Sequence, residues 1–115
     1  MNSTETAKKV ASKILERDKT CRSLGICLEY VNEGTATLSL EIKEQHINGH
    51  GICHGGIIFT LSDSAFAFAC NSRNAASVAQ HASVTFIKPA ELGDRLFATA
   101  KEISCLLYTS DAADE

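Results

Sequence analysis

The five cysteines of this 115-residue chain form no CxxC pair, follow no regular spacing and are odd in number. That excludes a disulfide framework and points to a reducing, cytoplasmic setting. Basic charge is scarce as well. Eleven Lys and Arg against fourteen Asp and Glu leave a net charge of -3 and a pI near 5.8. This argues against nucleic acid or a membrane surface as the main partner, though a local cluster could still hold an anionic ligand. The opening Met1-Asn2-Ser3-Thr4-Glu5 lacks both the basic segment and the apolar run of a secretory signal. What is present, 44% hydrophobic and 22% charged residues, is the composition of an ordinary globular domain. The length suits one core and is too short for two.

Proline is missing from the most apolar stretch, His54-Gly55-Gly56-Ile57-Ile58-Phe59-Thr60-Leu61-Ser62-Asp63-Ser64-Ala65-Phe66-Ala67-Phe68-Ala69-Cys70, and its glycines sit only at the start. From Ile57 onward apolar residues fall on nearly every face, which predicts a helix buried all round. It is about three residues short of a membrane span and has a charge at its centre, so it is not read as transmembrane. That charge, Asp63, is the only one in the stretch. Burying a lone carboxylate costs on the order of several kcal/mol, as much as the stability of a small domain. Either Ser62, Ser64 or a neighbouring strand satisfies it, or it faces a cavity where the cost has a use.

Gly55 and Gly56 favour the second reading. Glycines at a helix start let a ligand approach the unpaired backbone N–H groups, and those donors with the helix dipole suit an oxyanion or a polarised carbonyl. Asp63 lies about 12 Å further along the helix axis, beyond the reach of its side chain. If both groups act on one bond, they come from different copies of the chain. A two-fold dimer with antiparallel helices would bring them together.

Upstream, Ala7, Val10, Ala11, Ile14 and Leu15 recur at helical spacing opposite Lys8, Lys9, Lys13 and Glu16. This predicts a short amphipathic helix capped by Ser3 or Thr4. Ile26, Leu28 and Tyr30 alternate, as do Ala36, Leu38, Leu40 and Ile42, around the turn residues Asn32-Glu33-Gly34. That pattern predicts an antiparallel hairpin. Residues 45–53 read as loop. Alternation resumes over 77–87 and stops at Lys88-Pro89, and Gly93-Asp94 then turns the chain into a last strand over 96–103. The class is α+β. The final residues, Cys105-Leu106-Leu107-Tyr108-Thr109-Ser110-Asp111-Ala112-Ala113-Asp114-Glu115, resemble the conceptual translation of a transposase-type sequencing adapter. They are therefore read as a non-native tail, with the domain proper over 1–104.

The loop before the long helix holds His46, His50 and His54 at intervals of four. Asn48-Gly49 and Gly51 oppose a helix there and no carboxylate completes the set, so a metal is not expected. A Cys53–His54 nucleophile pair is weaker still, since adjacent residues rarely face each other. Cys21, Cys27, Cys53 and Cys70 read as small buried apolar groups. Asn48 can both donate and accept, to a water, to a substrate or within its own turn.

Asn48-Gly49-His50-Gly51-Ile52-Cys53-His54-Gly55-Gly56 followed by Leu61-Ser62-Asp63-Ser64-Ala65 resembles the hotdog-fold acyl-CoA thioesterases, in particular the PaaI-like phenylacetate-degradation (hydroxyphenylacetyl-CoA thioesterase) subgroup. The likeness continues through Ala69-Cys70-Asn71-Ser72, Val84-Thr85-Phe86-Ile87-Lys88-Pro89 and Gly93-Asp94-Arg95-Leu96. It implies an antiparallel sheet wrapped around one long buried helix, and hydrolysis of an arylacetyl-type acyl-CoA without a cofactor. Asp63 would be general base or nucleophile, and the Gly55 N–H would polarise the thioester carbonyl. Asn48 would help place water and substrate, His54 would support the loop, and Gly56 would lie beside the substrate. Lys88, Arg95 and Arg73 become candidates for the coenzyme A phosphates, each equally readable as a solvated surface charge. The resemblance also implies a homodimer or homotetramer with the site at the subunit interface. The family's last two strands have no counterpart here, so an exposed sheet edge and a tendency to aggregate are expected. The fold's hydratase/dehydratase branch and a non-catalytic acyl-CoA-binding module are the competing readings. The His-Gly-Gly to Asp arrangement fits the first less well, and Asp63 argues against the second.

Overall fold

A computed structural model describes residues 2–72 and 90–101. Two helices lead the chain, α1 (Ser3–Arg17) and α2 (Lys19–Leu24), followed by the hairpin β1 (Cys27–Asn32) and β2 (Thr35–Glu41). A 3-10 turn at Glu44–His46 opens the loop to the long helix α3 (Gly55–Asn71), and β3 (Arg95–Lys101) is the last described element. The strands form an antiparallel sheet in the order β1-β2-β3. The α+β class and the expected hairpin therefore hold. The expected strand over 77–87, Lys88, Arg73 and the tail over 105–115 lie outside the described residues.

The core follows from period two meeting period 3.6. Ala36, Leu38 and Leu40 of β2 are buried, and their partners Ala100, Ala98 and Leu96 of β3 pack into the same core. Onto this face α3 lays Leu61, Ser64, Ala65, Phe68 and Ala69, all buried. Removing the Phe68 ring would cost about 3–5 kcal/mol. α1 closes the layer through Ala7 and Ala11. Ser72 fixes the far end of α3, its hydroxyl donating to the Ala69 carbonyl and accepting from the Gly34 N–H of the hairpin turn, both at 2.7 Å.

The helix is not buried all round. One sheet covers one face, leaving Phe59, Thr60, Ser62, Phe66 and Ala67 half-buried and Asp63 exposed. α1 is capped by Asn2, not by Ser3 or Thr4, because the Asn2 carboxamide oxygen accepts the Glu5 N–H at 2.8 Å. In β1 the alternation breaks between Leu28 and Tyr30. Glu29 is the extra residue, so Val31 turns inward and Tyr30 stays exposed. Cys27 faces Ser39 across the strands and is exposed, while Cys70 is disulfide-bonded. Cys21, Cys53 and Cys70 are buried as expected, and Cys27 is the exception among the four.

Candidate active site

The loop that leads into α3 is a small closed structure. An antiparallel bridge joins Ile47 to Cys53. The Asn48 N–H donates to the Ile52 carbonyl, and the Gly51 N–H donates to the Asn48 carbonyl. Gly51, at φ 81, adopts a backbone that only glycine takes without strain. The Asn48 side-chain oxygen accepts from His50 N–H at 2.8 Å and Ile52 N–H at 3.4 Å. Its NH2 donates to no group among the described residues. Cys53 ties the loop to the start of the β3 turn, its N–H donating to the Ala90 carbonyl at 2.7 Å.

His54 is the N-cap of α3, with extended backbone at φ -61, ψ 130. Its Nδ1 accepts the Gly56 N–H at 3.3 Å, and its carbonyl accepts from Ile57 at 3.0 Å. The Gly55 N–H is thus the first-turn donor with no partner among the described residues, at the positive end of a seventeen-residue helix. A carbonyl oxygen or an oxyanion is what such a group attracts. Thr60 turns its hydroxyl back onto the Gly56 carbonyl at 2.9 Å.

Asp63 sits two turns further along. Within one chain it is exposed, so the sheet neither desolvates nor pairs it. Phe59 and Phe66, four residues before and three after, flank it on the same helix face, both half-buried. The result is an exposed carboxylate between two half-buried aromatic side chains. His54, Gly55 and Gly56 lie together at the start of α3, the loop that carries Asn48 leads into them, and Asp63 lies two turns further on.

Arg95 lies elsewhere. Leu96 packs into the core, so Arg95 projects from the opposite sheet face. There it approaches Glu29 at 3.6 Å and Glu41 at 3.9 Å and donates to the Ser39 hydroxyl. Ser39 in turn donates to Glu29 at 2.6 Å. No group of three or more His, Cys, Asp or Glu among the described residues could hold a metal ion, and no described helix is long and apolar enough to cross a membrane.

His46 was legible only as one of three spaced histidines. It is in fact buried, its Nδ1 accepting from the Lys43 N–H and its Nε2 donating to the Leu24 carbonyl, both at 2.9 Å. Nothing in its spacing shows this, because both partners are backbone groups brought in by α2 and the 3-10 turn.

A family model described as the thioesterase superfamily matches residues 50–104. The acyl-coenzyme A thioesterase PaaI of Escherichia coli K12 is 42% identical over 91 residues, which are 79% of this chain and 65% of that protein. Human acyl-coenzyme A thioesterase 13 is 35% identical over 95 residues, 77% of this chain and 68% of its own length. The structure of the E. coli PaaI protein from the phenylacetic acid degradation operon superposes with a TM-score of 0.84 at 39% identity. That match covers 87% of this chain and 72% of the other. The chain thus spans just under two thirds of the first of these relatives.

Proposed function

The chain belongs to the thioesterase superfamily, and on that premise we propose that it hydrolyses acyl-coenzyme A thioesters at a site shared by two copies of itself. The observation that carries this is the separation of two groups along α3. Among the described residues the Gly55 N–H at its start has no partner, and an exposed Asp63 lies about 12 Å beyond it. Two antiparallel helices related by a two-fold axis set each Gly55 against the partner's Asp63.

In that arrangement the thioester carbonyl oxygen accepts from the Gly55 N–H and, where it reaches, from the Asn48 NH2. Asp63 of the other copy removes a proton from water as the water oxygen bonds to the carbonyl carbon. The tetrahedral oxyanion is held at the helix start. Its collapse breaks the carbon–sulfur bond, and the proton returns from Asp63 to the departing coenzyme A thiolate. No cofactor enters this sequence, since the thioester is already activated.

For the acyl group we favour an arylacetyl chain. Phe59 and Phe66 beside Asp63 supply aromatic surface, and the solved relative's gene lies in a phenylacetic acid degradation operon. Free-thiol release from phenylacetyl-CoA tests the reaction. Asp63→Asn keeps the shape and removes the base, so turnover falls by about 10²–10⁴-fold. Turnover equal to the parent protein's overturns the assignment of the base. An equal kcat/KM for butyryl-CoA and phenylacetyl-CoA overturns the arylacetyl preference alone.

A further inference from the structure

Among the described residues, His46 is the histidine with both ring nitrogens engaged. Its partners fix its state. A backbone N–H can only donate and a carbonyl can only accept, so Nδ1 faces Lys43 N–H with its lone pair and Nε2 carries the proton toward the Leu24 carbonyl. The ring is 1% exposed, so water cannot replace either bond cheaply. The same residue's carbonyl accepts the His54 N–H at 2.8 Å. One buried imidazole therefore fastens the end of α2 to the 3-10 turn, and its backbone fastens that turn to the N-cap of α3. His54 in turn holds the Gly56 N–H and precedes the Gly55 N–H directly.

We propose that His46 is a positioning residue for the thioester site, setting the aim of the Gly55 N–H through His54 without touching substrate. The inference rests on the thioesterase reading above. An N–H that donates to the thioester carbonyl, displaced by about 1 Å, costs on the order of 100-fold in rate, which is the scale of effect at issue. A merely structural histidine would lower stability and leave the folded molecules turning over normally.

The test uses the full chain with His46→Gln, His46→Asn and Asp63→Asn, assayed by thiol release from phenylacetyl-CoA and by thermal melting. Gln carries an acceptor and a donor spaced much like the two ring nitrogens and keeps kcat within about threefold of the parent. Asn is too short to span both partners, and its kcat per folded molecule falls about 10- to 100-fold while KM changes by less than about threefold. Parent-like kcat in His46→Asn, or equal losses in Asn and Gln, overturns the proposal. If His46→Asn does not fold, His46→Gln decides: kcat per folded molecule within about threefold of the parent supports the proposal, and a larger loss in folded His46→Gln overturns it. A parent protein that releases no thiol removes the thioesterase reading and this inference together. Activity that is lost in Asp63→Asn and intact in His46→Asn removes this inference alone.

Discussion

The buried thiol of Cys21 shows how a single residue couples the core to pH. Its sulfur lies 3.4 Å from the Ser64 hydroxyl, with no exposed surface. Burial pushes its pKa from 9.0 up to about 11, against the opposing pull of the Ser64 hydrogen bond. As pH rises, the unfolded chain ionises this thiol first, so its contribution is whole below pH 9 and is lost between about 9 and 11. That loss is on the order of 2 kcal/mol. The melting temperature of the parent should fall more steeply across this window than that of Cys21→Ala, and identical slopes would refute the coupling. Residue identity was legible at this scale and residue environment was not. Asp63 stands out in the sequence as a lone charge, yet its exposure depends on how many faces of α3 the strands cover. Asn48 is visible as a polar loop residue, but only the folded turn shows that its oxygen is committed to His50 and Ile52 while its NH2 is not.

At the scale of elements, one residue joins two helices. Asp18 ends α1, its N–H donating to the Ile14 carbonyl, and starts α2, its carboxylate accepting the Cys21 N–H at 2.9 Å. Asp18→Ala removes the second cap and should cost about 1 kcal/mol, lowering the melting temperature by roughly 4–8 °C. An unchanged melt would show that α2 is held by the buried Cys21 alone. α2 was missed in the sequence for a physical reason. Its six residues bury only Cys21 and so have no apolar period. The available signals were Asp18 before it and Gly25 after it, at φ 84 in the left-handed C-terminal position. The hairpin was legible because β2 alternates cleanly against a covered face. The bulge at Glu29 was not, since an inserted residue looks like ordinary alternation until its partner strand is known.

The whole molecule raises a question of stoichiometry, because neither end of α3 is a complete site. Two defective chains can test it. Gly55→Pro removes the proposed carbonyl donor and should spare the helix, since proline suits the first helical position. The extended His54 at ψ 130 already has the backbone a residue before proline requires. Asp63→Asn removes the base from the other end. Each variant alone should lose about 100-fold or more in phenylacetyl-CoA hydrolysis. Refolded together in equal amounts, they should pair at random, and half the dimers would then hold one chain of each kind. Each mixed dimer has one site with an intact Gly55 from one chain and an intact Asp63 from the other, and a second site with neither. The mixture should recover roughly a quarter of the parent activity. If both groups instead act within one chain, no mixture can contain an intact site, and activity stays at the average of the two variants.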